Sequence, residues 1–145
     1  MRADQFPPMP ADMAERWGRF PHWDQDTNYN LHLGFVVEEM RAGYARLRLP
    51  IRPEVMQPAG IMHGGAIASL IDTAVVPAIG TAGVEPTRMV TISMNIDFMG
   101  AIADEDAVCE GWVTKQGRSI VFCSAEVTGA ESGRVCATGT LVYKV

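Results

Sequence analysis

The sequence predicts an α+β domain, an antiparallel β-sheet wrapped around one long central helix, and three observations carry that prediction. The first is the run from Val55 to Val84, which holds a single formally charged residue, Asp72, and one further titratable side chain, His63. The second is the period-two alternation of the flanking segments, the pattern of half-buried strands. The third is a pair of turn signals, "KQGR" at 115–118 and "GAESG" at 129–133, between the later segments. A helix so apolar needs cover on most sides, and a sheet curled around it is the economical way to supply it.

Taken in order, a proline-rich start leads into a short helix over 12–20, with Asp12 as a candidate cap. "FPHWDQDTNYNLHLG" (20–34) reads as an irregular segment lying over the domain. Residues 1–33 are thus an N-terminal extension, and 34–145 form the main domain. "FVVEEM" and "YARLRLPI" make a hairpin around Arg41-Ala42-Gly43, with Tyr44, Arg46 and Arg48 on one face and Ala45, Leu47 and Leu49 on the other. A loop rich in Pro and Gly follows. The helix spans 63–81. Ala66, Ile67, Leu70, Ile71, Ala74, Val75, Ala78 and Ile79 form its apolar stripe, while Ser69, Asp72, Thr73 and Val76 fall off it. Pro77 is expected to kink or tighten the last turns. Strands are expected over 89–98, 107–114, 119–128 and 134–145.

The 145 residues suit one domain with a full core. A net charge of −5 with no Lys/Arg cluster excludes a general nucleic-acid binder. Cys109, Cys123 and Cys136 are widely spaced, odd in number and without a CxxC pair. They read as buried thiols of a cytoplasmic protein, and no spacing with His22, His32 or His63 argues for a metal. No secretory signal is visible, because prolines and charges stand where an apolar segment belongs. The run 61–84 is apolar enough to weigh as a membrane span, but Asp72, Pro77 and its glycines make a buried core helix the better reading.

A carboxylate in such a run either escapes to water on one helix face or is held in a site that uses it. The pattern Gln57-x-x-Gly60-x-x-His63-Gly64-Gly65, with Asp72 nine residues after the histidine, resembles the hotdog-fold acyl-CoA thioesterases, and most of all their phenylacetic-acid-pathway type. The likeness runs from about Gly34 to Val145. Gln57 is a departure, since many of those relatives carry asparagine there; both amides donate an N–H, from arms of different length.

The resemblance implies hydrolysis of a medium-chain or aromatic acyl-CoA, with no metal and no cofactor beyond the coenzyme A of the substrate. Free amides and a positive dipole at a glycine-rich helix start suit a developing oxyanion. The resemblance gives that task to the Gly65 N–H, with Gln57 and His63 orienting the acyl group or the water and Gly64 allowing close approach. Nine residues of helix separate His63 from Asp72 by roughly 13 Å, too far for both to act on one carbonyl within a single chain. A two-fold homodimer with paired helices resolves this, and the family forms such composite sites. A dimer of dimers is the further expectation. Asp72 then serves as general base or as nucleophile, and the sequence does not choose. Thr91 matches a position where a hydroxyl orients the water. Lys115, Gly117, Arg118 and Ser119, with Arg88, are candidates for meeting the coenzyme A phosphates.

Plainer readings stand beside these. Asp72 can be a solvated helix residue, His63 a cap, Thr91 an ordinary strand residue, and Lys115 and Arg118 solvated turn charges. Met89, Met94 and Met99 suit an acyl pocket or a core gap. The same fold also supports acyl-thioester hydration or dehydration, and non-catalytic acyl-CoA binding.

Overall fold

The computed structural model describes residues 1–145, leaving aside the side chain of Thr87. Its strands are β1 (Val36–Arg41), β2 (Tyr44–Leu49), β3 (Val90–Phe98), β4 (Ala107–Gln116), β5 (Ile120–Gly129) and β6 (Val135–Lys144). They form one sheet in the order β1-β2-β4-β5-β6-β3, antiparallel at every step. Helices α1 (Ala11–Trp17) and α2 (Tyr29–Leu33) precede the sheet, and α3 (Gly64–Thr81) packs against one face of it.

The alternation expected of the strands is the burial observed. On β5, Val121, Cys123, Ala125 and Val127 face α3, where they meet Leu70, Ile71, Ala74 and Val75 in one core. Helix and sheet approach closely because the sheet is small there: a Cβ at Gly111 would lie 2.9 Å from the Ala74 backbone. The run long and apolar enough to cross a membrane is α3, and about two thirds of it is buried in this core. The three cysteines are buried and unpaired, and burial pushes the Cys123 thiol up to about 12.

Two local expectations are corrected. Helix α1 starts at Ala11 behind Pro10, with no side-chain cap; Asp12 sits within the first turn, where it complements the helix dipole instead of capping. Tyr44 shares its face of β2 with Arg46 and Arg48, yet it is fully buried. The reason is the chain start, which crosses that face. Phe6 stacks on Tyr44 with ring centroids 5.2 Å apart, and Tyr44 donates to Glu110 at 2.6 Å. Arg2 lies 3.9 Å over the Trp112 ring and bonds Glu110 and Glu126.

The segment 1–33 packs as part of the core. Trp17 is fully buried and meets Phe20 and Trp23 at centroid distances of 5.9 and 5.0 Å. Its ring occupies the space beside Gly80, where a Cβ would fall 1.6 Å from it. At the far edge of the sheet, β3 pairs only with β6 and is exposed along nearly its whole length, including Val90, Ile92, Met94 and Phe98. An edge strand this long and apolar presents unpaired backbone and apolar surface together.

Candidate active site

Asp72 occupies the one face of α3 that the sheet leaves open. Ser69, Asp72, Thr73 and Val76 recur at i, i+3, i+4 and i+7 and line a cleft of about 420 Å3. Tyr29 and Asn30 of α2 form another wall, and Met89, Thr91, Met94 and Tyr143 come from the sheet edge. Tyr29 shares a 2.6 Å hydrogen bond with Ser69, and the Thr73 hydroxyl donates to Asn30 at 3.1 Å.

Two hydroxyls converge on one oxygen of the carboxylate. Asp72 Oδ1 accepts from Thr91 at 3.0 Å and from Tyr143 at 2.5 Å. The Tyr143 oxygen also lies 3.0 Å from the Asp72 carbonyl. Among the described residues no cation forms an ion pair with Asp72. Its support is therefore neutral donors. Burial, and then the neighbouring Asp72 carboxylate, push the Tyr143 phenol well above its ordinary 10.0, so it stays a proton donor at any physiological pH.

Strand register explains the convergence. Thr91 and Tyr143 are direct cross-strand partners, and an irregularity between Thr91 and Ser93 shifts the β3–β6 pairing by one residue. Directly paired residues share a face, so the extra residue brings Thr91, Met94 and Tyr143 to the same side. Without it Thr91 and Met94 would point to opposite faces.

The glycine-rich helix start lies at the other end of α3. His63 is its N-cap, and its Nδ1 accepts the Gly65 N–H at 2.8 Å. Gly64 and Gln57 line a separate cleft of about 330 Å3 with Ile67 and Phe98. The Phe98 ring sits against Gly64, 3.5 Å from where a Cβ would be. Within one chain, therefore, Gln57, His63, Gly64 and Gly65 are gathered together, Thr91 joins Asp72, and the two groups stay apart.

Of the residues considered for coenzyme A, Arg88, Gly117 and Arg118 line one small cleft of about 260 Å3, beside Glu85 and Val145. Lys115 lies on β4 and Ser119 accepts the Val145 N–H through its carbonyl; neither lines that cleft. Arg88 immediately precedes Met89, so this cleft opens near the one that holds Asp72.

Residues 59–137, just over half of the chain, match the thioesterase superfamily. Acyl-coenzyme A thioesterase 13 of Homo sapiens is 31% identical over 119 residues, covering 77% of this chain and 81% of that protein. The chain belongs to the thioesterase superfamily. It is a thioester hydrolase on a hotdog fold, the sheet-around-helix architecture expected above. The conserved protein PA5202 from Pseudomonas aeruginosa superimposes on this thioesterase with a TM-score of 0.76 at 28% identity, over 86% of this chain and 98% of that one. The E. coli PaaI protein from the phenylacetic acid degradation operon shares the fold, with a TM-score of 0.78 at 20% identity over 91% and 94% of the two chains.

Sequence reasoning did not single out Tyr143, Tyr29 or Asn30 as parts of the thioesterase cleft. A signal for Tyr143 existed, since a tyrosine on the inward face of a strand needs a partner for its hydroxyl. Ser69, Thr73 and Val76 were seen to leave the apolar stripe, and their spacing with Asp72 marks a second helix face. Met89 and Met94 line the cleft, whereas Met99 is 57% exposed outside it. Among the described residues no three His, Cys, Asp or Glu side chains gather as metal ligands.

Proposed function

We propose that this thioesterase hydrolyses a medium-chain or aromatic acyl-CoA at sites shared between two copies of the chain, with Asp72 as the base that activates water. The single observation that carries this is Asp72 itself, half-buried in a cleft, held through Oδ1 by neutral donors, with Oδ2 left without a donor among the described residues. The likeness to acyl-coenzyme A thioesterase 13 supports coenzyme A as the thiol portion.

The exposed edge of β3 supports the dimer. If two copies pair along it antiparallel, the Val90 end of one strand meets the Phe98 end of the other. Phe98 packs against Gly64, so the partner's helix start is carried toward Thr91 and Asp72. That arrangement answers the separation found within one chain.

In this reading water, held by Asp72, attacks the thioester carbonyl carbon and passes a proton to the carboxylate. The carbonyl electrons move to oxygen, where the partner's Gly65 N–H meets the developing charge. The tetrahedral intermediate then collapses, the C–S bond breaks, and the proton on Asp72 goes to the departing sulfur. Free acid and coenzyme A result, and the aspartate is again ionised. In the unliganded chain His63 satisfies the Gly65 amide. A neutral carbonyl competes weakly with that imidazole, and an oxyanion competes well, so the donor acts chiefly in the transition state. The reaction calls for no separate cofactor. Arg88 and Arg118 supply the charge for phosphates, and Met89, Met94 and Val76 the apolar wall for an acyl group.

The test is thiol release from a panel of acyl-CoAs by the wild type and by Asp72→Asn. Turnover is expected to fall at least about a hundredfold in the variant. Equal rates for the two proteins would remove Asp72 from the mechanism.

A further inference from the structure

We propose that Tyr143 is a positioning residue for hydrolysis: its phenol O–H, acting with the Thr91 hydroxyl, fixes Oδ1 of Asp72 and leaves Oδ2 as the oxygen that takes the proton from water. This rests on the reading of Asp72 as the base.

Three observations lead there. The first is distance. The phenol oxygen stands 2.5 Å from Oδ1 and 3.0 Å from the Asp72 carbonyl oxygen, and its one proton goes to the nearer, charged acceptor. The second is saturation. Oδ1 also receives Thr91 at 3.0 Å, so two donors occupy one oxygen while, among the described residues, none reaches the other. The third is rigidity. Tyr143 is 2% exposed on β6, between Val121 of β5 and Thr91 of β3, so its ring is held on both sides.

The consequence is chemical. Burying any carboxylate without a paired cation carries a desolvation penalty. Donors to the ionised oxygen oppose that penalty and keep the base ready. A carboxylate also rotates freely about χ2 unless something holds it. Two donors on Oδ1, one from each of two adjacent strands, stop that rotation and set the direction of Oδ2. Such fixation raises the rate of the bound complex and leaves substrate affinity alone, because the phenol touches Asp72 and acts through it.

The experiment compares the wild type, Tyr143→Phe and Asp72→Asn under one assay of thiol release over a range of pH. Tyr143→Phe keeps the ring and removes the donor. Its kcat is expected to fall about tenfold with KM changed less than about twofold, and the acid limb of its kcat/KM profile to move up as the donor is lost. Site-specific 3-fluorotyrosine at position 143, a stronger donor of nearly the same size, is expected to move that limb the opposite way. A role in packing alone predicts no movement in either variant, and this second replacement keeps the test valid should the phenylalanine variant fold poorly. An inactive Asp72→Asn beside a Tyr143→Phe protein with wild-type kcat and pH profile would overturn this inference and leave the base reading intact. A fully active Asp72→Asn would overturn both.

Discussion

Two substitutions made in the same thioesterase, Asp72→Asn and Gly65→Pro, separate a shared site from a self-contained one. The first removes the charge of the proposed base. The second removes the amide proton at the second position of α3, where no intrahelical acceptor exists, and displaces His63, whose Nδ1 lies 2.9 Å from a Cβ at this position. Each pure dimer is expected to lose at least about a hundredfold in turnover. Positions 65 and 72 lie about 10 Å apart along the helix axis, and in the proposed shared site each Asp72 serves the helix start of the other chain. In a mixed dimer one site then carries both substitutions and the other carries neither. Its activity should be about half that of the wild type per dimer. Re-pairing of subunits after purification would lower this to about a quarter, still far above either parent. The assay is thiol release by dimers co-expressed with two different affinity tags and purified over both columns. If the mixed dimer is as inactive as its parents, each site draws both groups from one chain and the composite reading fails.

The remaining predictions concern the core and the coenzyme. Gly80→Ala should destabilise the fold by about 1–3 kcal/mol or more, because the new methyl would fall 1.6 Å from the buried Trp17 ring; an unchanged urea midpoint would mean the two elements separate at little cost. Arg88→Ala combined with Arg118→Ala should raise KM for acyl-CoA by about tenfold and leave kcat and the hydrolysis of a truncated acyl-pantetheine thioester unchanged. Equal effects on both substrates would take the phosphates away from that cleft.

The core strands and the central helix were legible because each is a long periodic segment whose burial follows from its own pattern. β5 shows this: inward positions 121, 123, 125 and 127 alternate with outward ones, and the sheet buries the first set. The glycine-rich helix start was legible as well, since His63 caps α3 through a bond to an amide two residues away, a purely local arrangement. The Asp72 surroundings were legible only in part. Ser69, Thr73 and Val76 follow from helical spacing, but Tyr143 lies 71 positions away from Asp72 in sequence. Thr91 joins that contact through a register shift in β3 that no residue pattern announces. Lys115 illustrates the converse. It sits in the same turn signal as Arg118, yet β4 continues to Gln116, and alternation turns Lys115 to the face opposite Gln116, which lines the cleft with Arg118.

The segment before β1 was the least legible, and the reason is that its contacts are all with distant residues. Its composition, rich in proline and polar groups, reads as a covering extension, and nothing local reveals that Trp17 fills a gap left by Gly80 on α3. The same segment then supplies Tyr29 and Asn30, which bond Ser69 and Thr73 on the open face of that helix. One stretch of chain therefore closes the core at the C-terminal end of α3 and walls the cleft beside Asp72. The two tasks are mechanically linked, because α2 is only five residues long and too short to hold its place by its own hydrogen bonds. What anchors it are the bonds of Tyr29 and Asn30 to Ser69 and Thr73 of α3, and that of its cap residue Asn28 to the Pro21 carbonyl, next to Phe20 of the aromatic cluster. The wall of the cleft is thus built from the same stretch of chain that packs Trp17 against Gly80.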